Sequence, residues 1–340
     1  MTITEVTMDP ATHPWLTVDY DTAVALIYMS WPEGTPPPAP VRDARPARRL
    51  RDAIEPIATH AVWSRRTNEV LAKLGLKFFT SYVWGKAAAL GEPPTGVVVA
   101  VFGSLEPGVI AAAYEEGRRQ CGRAGMMAAR EEATIESLTE ILGGADVTEV
   151  VAVLRRGVEA ADGTGRPMFS GLRSLGWPAD PVGQLWRACD LLREHRGDGH
   201  LAACISAGLG PVSMNVVTEL WMGLPLGVVA MAQRGWPEEA LAGAVADLER
   251  RGFVAGGDLP RLADDVQRHV GDVHLAHHRL GAGDRAVRHR VMPAGVEDQR
   301  QRADVGRGPG AARTDSAGFR RPRCTGDPFR QRRRRVDLSS

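Results

Sequence analysis

The stretch REHRGDGH at residues 193–200 places two histidines, two arginines and two carboxylates within eight residues. Gly197 is typical of the end of a helix and Asp198 of the start of the next, so we expect two helices to meet here. His195 would then lie in a last helical turn, where the dipole favours the protonated imidazole, and His200 in a first turn, where it favours the neutral form. We therefore predict a helix–helix corner whose two imidazoles exchange protons with a bound ligand.

The arginines of the same stretch indicate the ligand class. Arg193 and Arg196 flank His195, and guanidinium groups are suited to anionic oxygens. We predict that they bind a small polar or anionic molecule, with Asp198 at the same site. The alternative is that these residues only form a tight corner between two helices. The sequence names no cofactor and leaves open whether a reaction is catalysed.

A metal site is a second alternative at this stretch. His195, Asp198 and His200 could supply ligands, with His60 as a distant fourth. However, a His-x4-His spacing across a glycine corner is not the i,i+4 pair of a helical zinc site, so we assign no metal. A Ser/His/Asp triad has no support either, because the sequence lacks a GxSxG motif.

A second group of polar residues lies near the start of the helical part of the chain. Glu55, His60 and Tyr82 could converge with residues 193–200 and line one flank of a pocket. The alternative is that Glu55 only marks a helix start and His60 is a hydrogen-bonded core residue. The aromatic residues around Tyr82 would then be core as well: Phe78, Phe79 and Trp84.

Apolar residues recur at helical spacing through most of the chain from Arg48 onward, and Gly or Pro marks the ends of the runs. This pattern predicts helices at 76–90, 107–114, 126–142, from Thr148, 181–196, 199–207, 212–222, 226–234 and 237–251. Phe253-Val254 is a candidate short strand after the last helix. The segment therefore has the outline of a winged helix-turn-helix.

The fold class that follows is mainly α, with a helical N-terminal half followed by a winged-helix-like helical domain. The predicted division is a Pro-rich extended arm at 1–46, an N-terminal helical domain at 47–175 and the winged-helix-like domain at 176–258. Residues 259–340 form an Arg-rich low-complexity tail with no isoleucine and a single glutamate. This composition favours either a disordered tail or a shift of the coding frame.

The net charge of +1 is distributed unevenly, because residues 259–340 sum to +8 and the first 258 residues to −7. The predicted helix 237–251 begins with Pro237-Glu238-Glu239, so the end that would meet DNA bases is acidic. Facing phosphates, this helix would be repelled. We therefore expect a small-molecule partner rather than DNA, and the sequence leaves a homo-oligomer open.

Targeting signals and cysteine spacing indicate the compartment. No charged n-region precedes the apolar run at 23–28, which is too short to span a bilayer. The four cysteines lack CxxC spacing and indicate reduced, mostly buried thiols. We expect a cytoplasmic protein without a membrane partner.

Three stretches resemble actinobacterial proteins that have a SalR-type helix-turn-helix domain. The signature matches WPADPVGQLWRACDLLREHRGDGHLAACISAGL at 177–209, and the winged-helix segment is similar to RGWPEEALAGAVADLERRGFV at 234–254. The amino-terminal helical region is similar to EPIATHAVWSRRTNEVLAKLGLKFFTSYVWGKAAALG at 55–91. The resemblance covers about 48–258 and departs from the pattern at DLPRLADDVQRHV. It implies a helical regulator-type protein without an established activity.

Three functions remain open after this comparison. The first is binding of a small polar or anionic ligand at residues 193–200. The second is a transcriptional regulator that binds DNA as a dimer. The third is an enzyme that acts on a small molecule, and the sequence leaves open whether it depends on a metal ion.

Overall fold

The computed structural model describes residues 14–28, 46–222, 224–230 and 233–255. Within them the chain forms thirteen α-helices: α1 (Tyr20–Tyr28), α2 (Pro46–Ala58), α3 (His60–Trp63), α4 (Arg65–Lys73), α5 (Phe78–Ala87), α6 (Thr95–Phe102), α7 (Pro107–Gln120), α8 (Arg123–Leu142), α9 (Thr148–Glu159), α10 (Pro167–Arg173), α11 (Pro181–Ser206), α12 (Pro211–Met222) and α13 (Glu238–Arg250). Short 3-10 helices add Pro14–Leu16 and Ala88–Leu90. The predicted mainly α fold is confirmed, whereas the tail at 259–340 lies outside the described residues.

Residues 14–28 are folded, although we expected an extended arm over residues 1–46. Trp15 is buried and packs against Phe79, with ring centroids 5.8 Å apart. Asp19 begins α1 by accepting a hydrogen bond from the backbone N–H of Thr22 at 2.8 Å. The extended-arm prediction is wrong for this part, because burial of Trp15 stabilises local helical structure. The rest of the arm lies outside the described residues.

Helices α5 and α7 form the centre of the N-terminal core. Trp84 of α5 and Tyr114 of α7 are fully buried and meet edge to face, with centroids 5.6 Å apart. The two helices approach closely at Gly117, where an added Cβ would lie 2.6 Å from the Cβ of Trp84. A glycine is therefore required at this crossing.

Helix α11 begins at an N-cap that the sequence predicted. The carboxylate of Asp180 accepts hydrogen bonds from two backbone N–H groups of the first turn, at 2.8 and 3.0 Å. Leu185 and Trp186 then pack in one buried cluster with Ile54 of α2. The first helix of the predicted C-terminal domain thus shares a core with the N-terminal half, and the boundary at 175 stays a prediction.

Three pairs of consecutive helices are joined by four-residue turns that contain glycine, and the first of these turns is residues 74–77 between α4 and α5. Residues 103–106 join α6 to α7, and residues 207–210 join α11 to α12. Helices α11 and α12 are bent by 106° across their turn, where Gly208 has φ +68. Such a turn between helices at about 90–120° is the geometry of a helix-turn-helix motif. Among the described helices, none alone has the length and apolarity of a membrane span, and only α11 and α12 together meet those criteria.

Helices α12 and α13 pack through buried apolar side chains, among them Leu241 and Leu248. Between them, residues 226–230 form turns, so the predicted helix at 226–234 is wrong. The cause is Glu219, a fully buried residue of α12. Its carboxylate accepts hydrogen bonds at 2.9, 2.5 and 2.7 Å from the backbone N–H groups of Gly227, Val229 and Ala230.

Phe253 and Val254 do not form the predicted strand. Their N–H groups donate to the carbonyl oxygen of Leu248 at 2.9 and 3.4 Å, and Gly252 has φ +74. The chain therefore folds back over the end of α13, as helices that end at a left-handed glycine do. Within the described residues, the winged-helix outline lacks its strand.

Candidate functional site

Residues 193–200 lie inside α11, so the predicted helix–helix corner is wrong. The helix continues through Gly197 and Asp198 to Ser206. Both His195 and Asp198 are buried against neighbouring elements, and this packing keeps Gly197 helical despite its low helix propensity. Since the helix dipole acts only within the first or last turn, it gives His195 and His200 no contrasting fields.

Asp198 caps a neighbouring helix rather than one of its own. Its two carboxylate oxygens accept hydrogen bonds from the backbone N–H groups of Phe169 at 2.9 Å and Met168 at 3.4 Å, both in the first turn of α10. Burial raises the pKa of Asp198 to about 6, although these hydrogen bonds oppose the change. The carboxylate is thus occupied, and its predicted part in ligand binding stays a prediction.

His195 connects α11 to α10 and to the segment that precedes α10. Its side chain is 4% exposed, and Nε2 lies 3.2 Å from the carbonyl oxygen of Asp162. The imidazole meets the ring of Phe169 edge to face at 5.0 Å between centroids. Its own carbonyl oxygen accepts a hydrogen bond from Arg166 at 2.5 Å. These contacts fix the ring in one orientation.

His200 has different neighbours. Its ring nitrogens lie 3.8 and 3.9 Å from Sγ of Cys204, one helical turn further along α11. Burial lowers the pKa of His200 to about 4 and raises that of Cys204 to about 11, so both are neutral near pH 7. Proton exchange by His195 and His200 stays a prediction. The described cysteines are buried free thiols, as expected: Cys121, Cys189 and Cys204.

An ionic cluster on α11 joins three helices that are distant in sequence. We call Glu55, Lys86, Arg193, Glu194 and Arg196 the α11 ionic cluster. Nζ of Lys86 lies 2.9 Å from both carboxylate oxygens of Glu194, which also accepts from Arg193 at 2.8 Å. Arg193 and Arg196 each donate to one oxygen of Glu55, at 3.1 and 3.2 Å. The structure therefore places Glu55 beside Arg193 and Arg196, where it forms an ion pair with each of them.

The charges of the α11 ionic cluster hold one another in their ionised forms. Burial alone would raise the pKa of Glu194, but Lys86 and Arg193 outweigh it and lower this pKa to about 2. Burial also opposes ionisation of Glu55, and Arg193 and Arg196 outweigh it and lower its pKa. Glu194 has two cationic partners and Glu55 has three, because Arg51 also lies 3.9 Å from Glu55, so much of the charge is neutralised.

Lys86 and Glu194 belong to the site, although residue spacing did not single them out. Lys86 is one of only three lysines in the chain. Glu194 follows Asp190 by four residues, which places two carboxylates on one face of a helix that is otherwise largely apolar there. Asp190 in turn lies 3.5 Å from the guanidinium group of Arg130 on α8. The i,i+4 pair of acids in an apolar helical run was the signal that could have revealed Glu194.

The other two predicted residues, His60 and Tyr82, have different surroundings. Nε2 of His60 is 3.0 Å from the hydroxyl of Ser137, and burial lowers the pKa of His60 to about 4. This favours the alternative of a satisfied core histidine. Tyr82 lies beside the cluster, with its ring centroid 5.8 Å from Nζ of Lys86, and borders a small cavity.

No metal centre is formed by the described residues. Among them, no three His, Cys, Asp or Glu side chains are placed to hold one ion. The alternative set of His195, Asp198 and His200 accordingly does not form a metal site. Asp198 binds the backbone of α10 and His200 lies against Cys204.

Helix α13 presents the surface that a winged helix-turn-helix would turn to DNA. Glu238 and Glu239 are exposed in its first turn, as the sequence predicted. At the other end, Asp247 binds both Arg250 and Arg251, at 2.9 and 3.2 Å. The exposed positions between the two ends carry only small residues: Ala242, Gly243 and Ala246.

Comparison with known proteins identifies one family. A family model described as "Helix-turn-helix family" matches residues 47–287. No curated protein and no solved structure matches the chain. The match begins where we placed the start of the N-terminal helical domain and continues past residue 258, where we expected the resemblance to end.

Proposed function

Because the chain belongs to the helix-turn-helix family that matches residues 47–287, we propose that it is a cytoplasmic transcriptional regulator that binds double-stranded DNA. Family membership is the observation that carries this proposal, since the motif places a recognition helix in the major groove. The narrower relation to actinobacterial SalR-type proteins, from residues 177–209 and 234–254, belongs to the same proposal.

Helix α13, which follows the α11–α12 turn, is the element that we place in the groove, because the middle of α12 is buried. One face packs through the buried residues Leu241 and Leu248, and the opposite face is exposed. Small side chains on that face let the helix approach the base edges closely, because the major groove is just wide enough for a helix. The two acidic residues of the first turn work against this placement.

The acidic start of α13 requires phosphate contacts from another part of the chain. Residues 259–340 contain 18 arginines against 10 acidic residues, a net charge of +8. Arginines that neutralise phosphates supply most non-specific DNA affinity. We assign the phosphate contacts to this arginine-rich segment and the base contacts to α13.

Selection from a random duplex library with the full chain tests sequence recognition. We expect enrichment of a defined motif, and loss of that enrichment when Ala246→Glu adds a charge and bulk to the exposed face of α13. Ala100→Glu is the matched control, because Ala100 is an exposed alanine of α6. An unenriched library, or equal effects of the two variants, would remove α13 as the recognition helix.

A small-molecule site at Arg193 and Arg196 is a second candidate function. Their side chains are 25% and 29% exposed, and that of their shared partner Glu55 is 26% exposed. An anionic ligand could displace Glu55 and keep both guanidinium groups paired. Thermal unfolding with a panel of organic anions tests this: an anion that stabilises the wild type but not Arg196→Ala supports the site. Lack of stabilisation by any anion would discard it.

A further inference from the structure

The turn between α6 and α7, residues 103–106, binds the chain at both ends of the α12–α13 connection. The carbonyl oxygen of Ser104 accepts a hydrogen bond from Nδ2 of Asn215 in α12 at 2.8 Å. The same oxygen accepts one from Nε1 of Trp236, just before α13, at 2.9 Å. A carbonyl oxygen has two lone pairs, so it can serve both donors. A single peptide group of the N-terminal half therefore connects to α12 and to the start of α13.

Two further contacts hold this turn against the C-terminal half. The backbone N–H of Glu106 donates to the carbonyl oxygen of Arg234 at 2.9 Å. At Gly103, which has φ +54, an added Cβ would lie 2.5 Å from Cδ2 of Leu201 in α11. The turn thus contacts α11, α12 and the segment that leads into α13.

The connection between α12 and α13 does not fix α13 by itself. A helix-turn-helix has a turn of three or four residues, whereas residues 223–237 separate these two helices. Glu219 binds the first part of this connection, at residues 227–230, and Ser104 binds its last part, at Trp236. The packing of α12 against α13 is apolar, and apolar contacts are not directional. The directional contacts of the Ser104 carbonyl therefore set where α13 begins relative to α12.

We propose that Asn215 and Trp236 are positioning residues for base recognition by α13, with the Ser104 carbonyl as their common acceptor. This inference rests on the proposed DNA binding by α13. Hydrogen bonds to base edges weaken steeply when their geometry changes, whereas contacts to phosphates carry no sequence information. A small displacement of α13 therefore lowers sequence selectivity more than overall DNA affinity. In this arrangement the N-terminal half takes part in sequence recognition through one turn.

Trp236→Phe tests this role, because it removes the indole N–H and keeps an aromatic ring. The measurement is the ratio of the affinities of the full chain for the duplex enriched from the random library and for a scrambled duplex. Both affinities fall equally if a variant only loses folded protein, so the ratio reports positioning rather than stability. We expect Trp236→Phe to lower the ratio about fivefold, the effect of one hydrogen bond, with little change in affinity for the scrambled duplex.

Trp84→Phe is the matched control, because it removes a comparable hydrogen bond in the N-terminal core, from Nε1 to the carbonyl oxygen of Cys121 at 2.8 Å. Its ratio should equal that of the wild type. An unchanged ratio in Trp236→Phe, or equal losses in both variants, would overturn the positioning role and leave DNA binding by α13 intact. Failure of the wild type to prefer any duplex would instead overturn the proposed function, and base recognition with it.

A distance measurement without DNA tests the same contact independently. Spin labels on Ala100→Cys and Ala246→Cys report the separation of α6 and α13, since both alanines are exposed. Cys324→Ser removes the thiol that lies outside the described residues, and the other three thiols are buried. Double electron–electron resonance should show one narrow distance distribution, which broadens or shifts when Trp236→Phe is added. The same distribution with and without Trp236→Phe would contradict the positioning role.

Discussion

The carboxylate of Asp198, in the middle of α11, accepts a hydrogen bond from the backbone N–H of Phe169 at 2.9 Å. The first helical residue of α10 is a proline, which has no N–H, so Asp198 serves the first donors that α10 leaves unpaired. An aspartate that is unfavourable inside its own helix therefore stabilises the start of another.

Replacement of Asp198 tests this contact. Asp198→Ala leaves two buried N–H groups of α10 without an acceptor, and we expect a loss of about 1–2 kcal/mol in the free energy of unfolding. Asp198→Asn keeps one acceptor oxygen and should lose less. Urea denaturation measures both. An alanine variant as stable as the wild type would show that the cap contributes nothing.

Gly197→Ala distinguishes a continuous helix from the corner that the sequence suggested. An added Cβ at Gly197 meets only a carboxylate oxygen of Glu194, at 3.9 Å. Alanine should therefore stabilise the protein by about 0.5–1 kcal/mol, as it does inside helices. Gly143→Ala is the control, because Gly143 ends α8 with φ +59 and alanine there should destabilise. Destabilisation by both variants would mean that the helix ends at Gly197.

The fold was predictable where one local signal decided the outcome. Asp180 before a proline, and the glycine after α8, mark helix ends correctly because the caps involve only adjacent residues. Gly197 and Asp198 carry the same local signals, yet the helix continues through them. Whether the helix continues at Gly197 and Asp198 depends on packing against α10. The hydrogen bond between Asp198 and Phe169 of α10 joins residues that are 29 positions apart, so the local sequence pattern does not show it.

The site was predictable only in part for the same reason. The arginines at 193 and 196 and the carboxylate of Glu55 were identified by their residue types, and the structure brings them together. Lys86 was missed because its partner Glu194 is 108 residues away. Sequence spacing specifies contacts within one helix, whereas the cluster depends on how α2, α5 and α11 pack.

A double-mutant cycle measures the ion pair between Lys86 and Glu194. The side chains are 15% and 7% exposed, so removal of either charge leaves a poorly solvated partner. We expect Lys86→Met or Glu194→Gln each to cost about 3–5 kcal/mol, and the double variant to cost less than their sum. Chemical denaturation provides the four free energies.

The exposed pair of Arg66 and Glu136 is the matched control for this cycle. Their side chains are 49% and 57% exposed, and the same cycle there should give a coupling below about 1 kcal/mol. Equal coupling energies in the two cycles would contradict the assignment of the Lys86–Glu194 pair as a buried one.

Stability should depend on pH through His200 and His60. Burial lowers the pKa of both to about 4 from 6.5. The unfolded chain therefore binds protons that the folded chain does not, and the free energy of unfolding should fall as the pH decreases from about 6.5 to about 4. Urea denaturation across this range should show a smaller fall for His200→Gln. An unchanged fall in that variant would contradict the assignment.

The titration of Asp198 changes the free energy of unfolding in the opposite direction over part of the same pH range. Burial raises its pKa to about 6 from 3.8, so its stabilising effect is complete below about pH 3.8 and is lost as the pH rises through about 6. Asp198→Asn removes this opposing contribution and should make the fall toward pH 4 steeper than in the wild type. An unchanged fall would show that the carboxylate keeps its ordinary pKa, and a shallower one that its pKa is lowered.

The most direct test of regulator function is a titration of a labelled DNA duplex with the full chain. Binding is measured by the fluorescence anisotropy of the duplex at several salt concentrations. We predict binding at about 50 mM salt and a linear decrease of log affinity with log salt concentration up to about 200 mM, with a slope that corresponds to several neutralised phosphates. No change in anisotropy at the lowest salt concentration, with folded protein in excess, would contradict DNA binding by this chain.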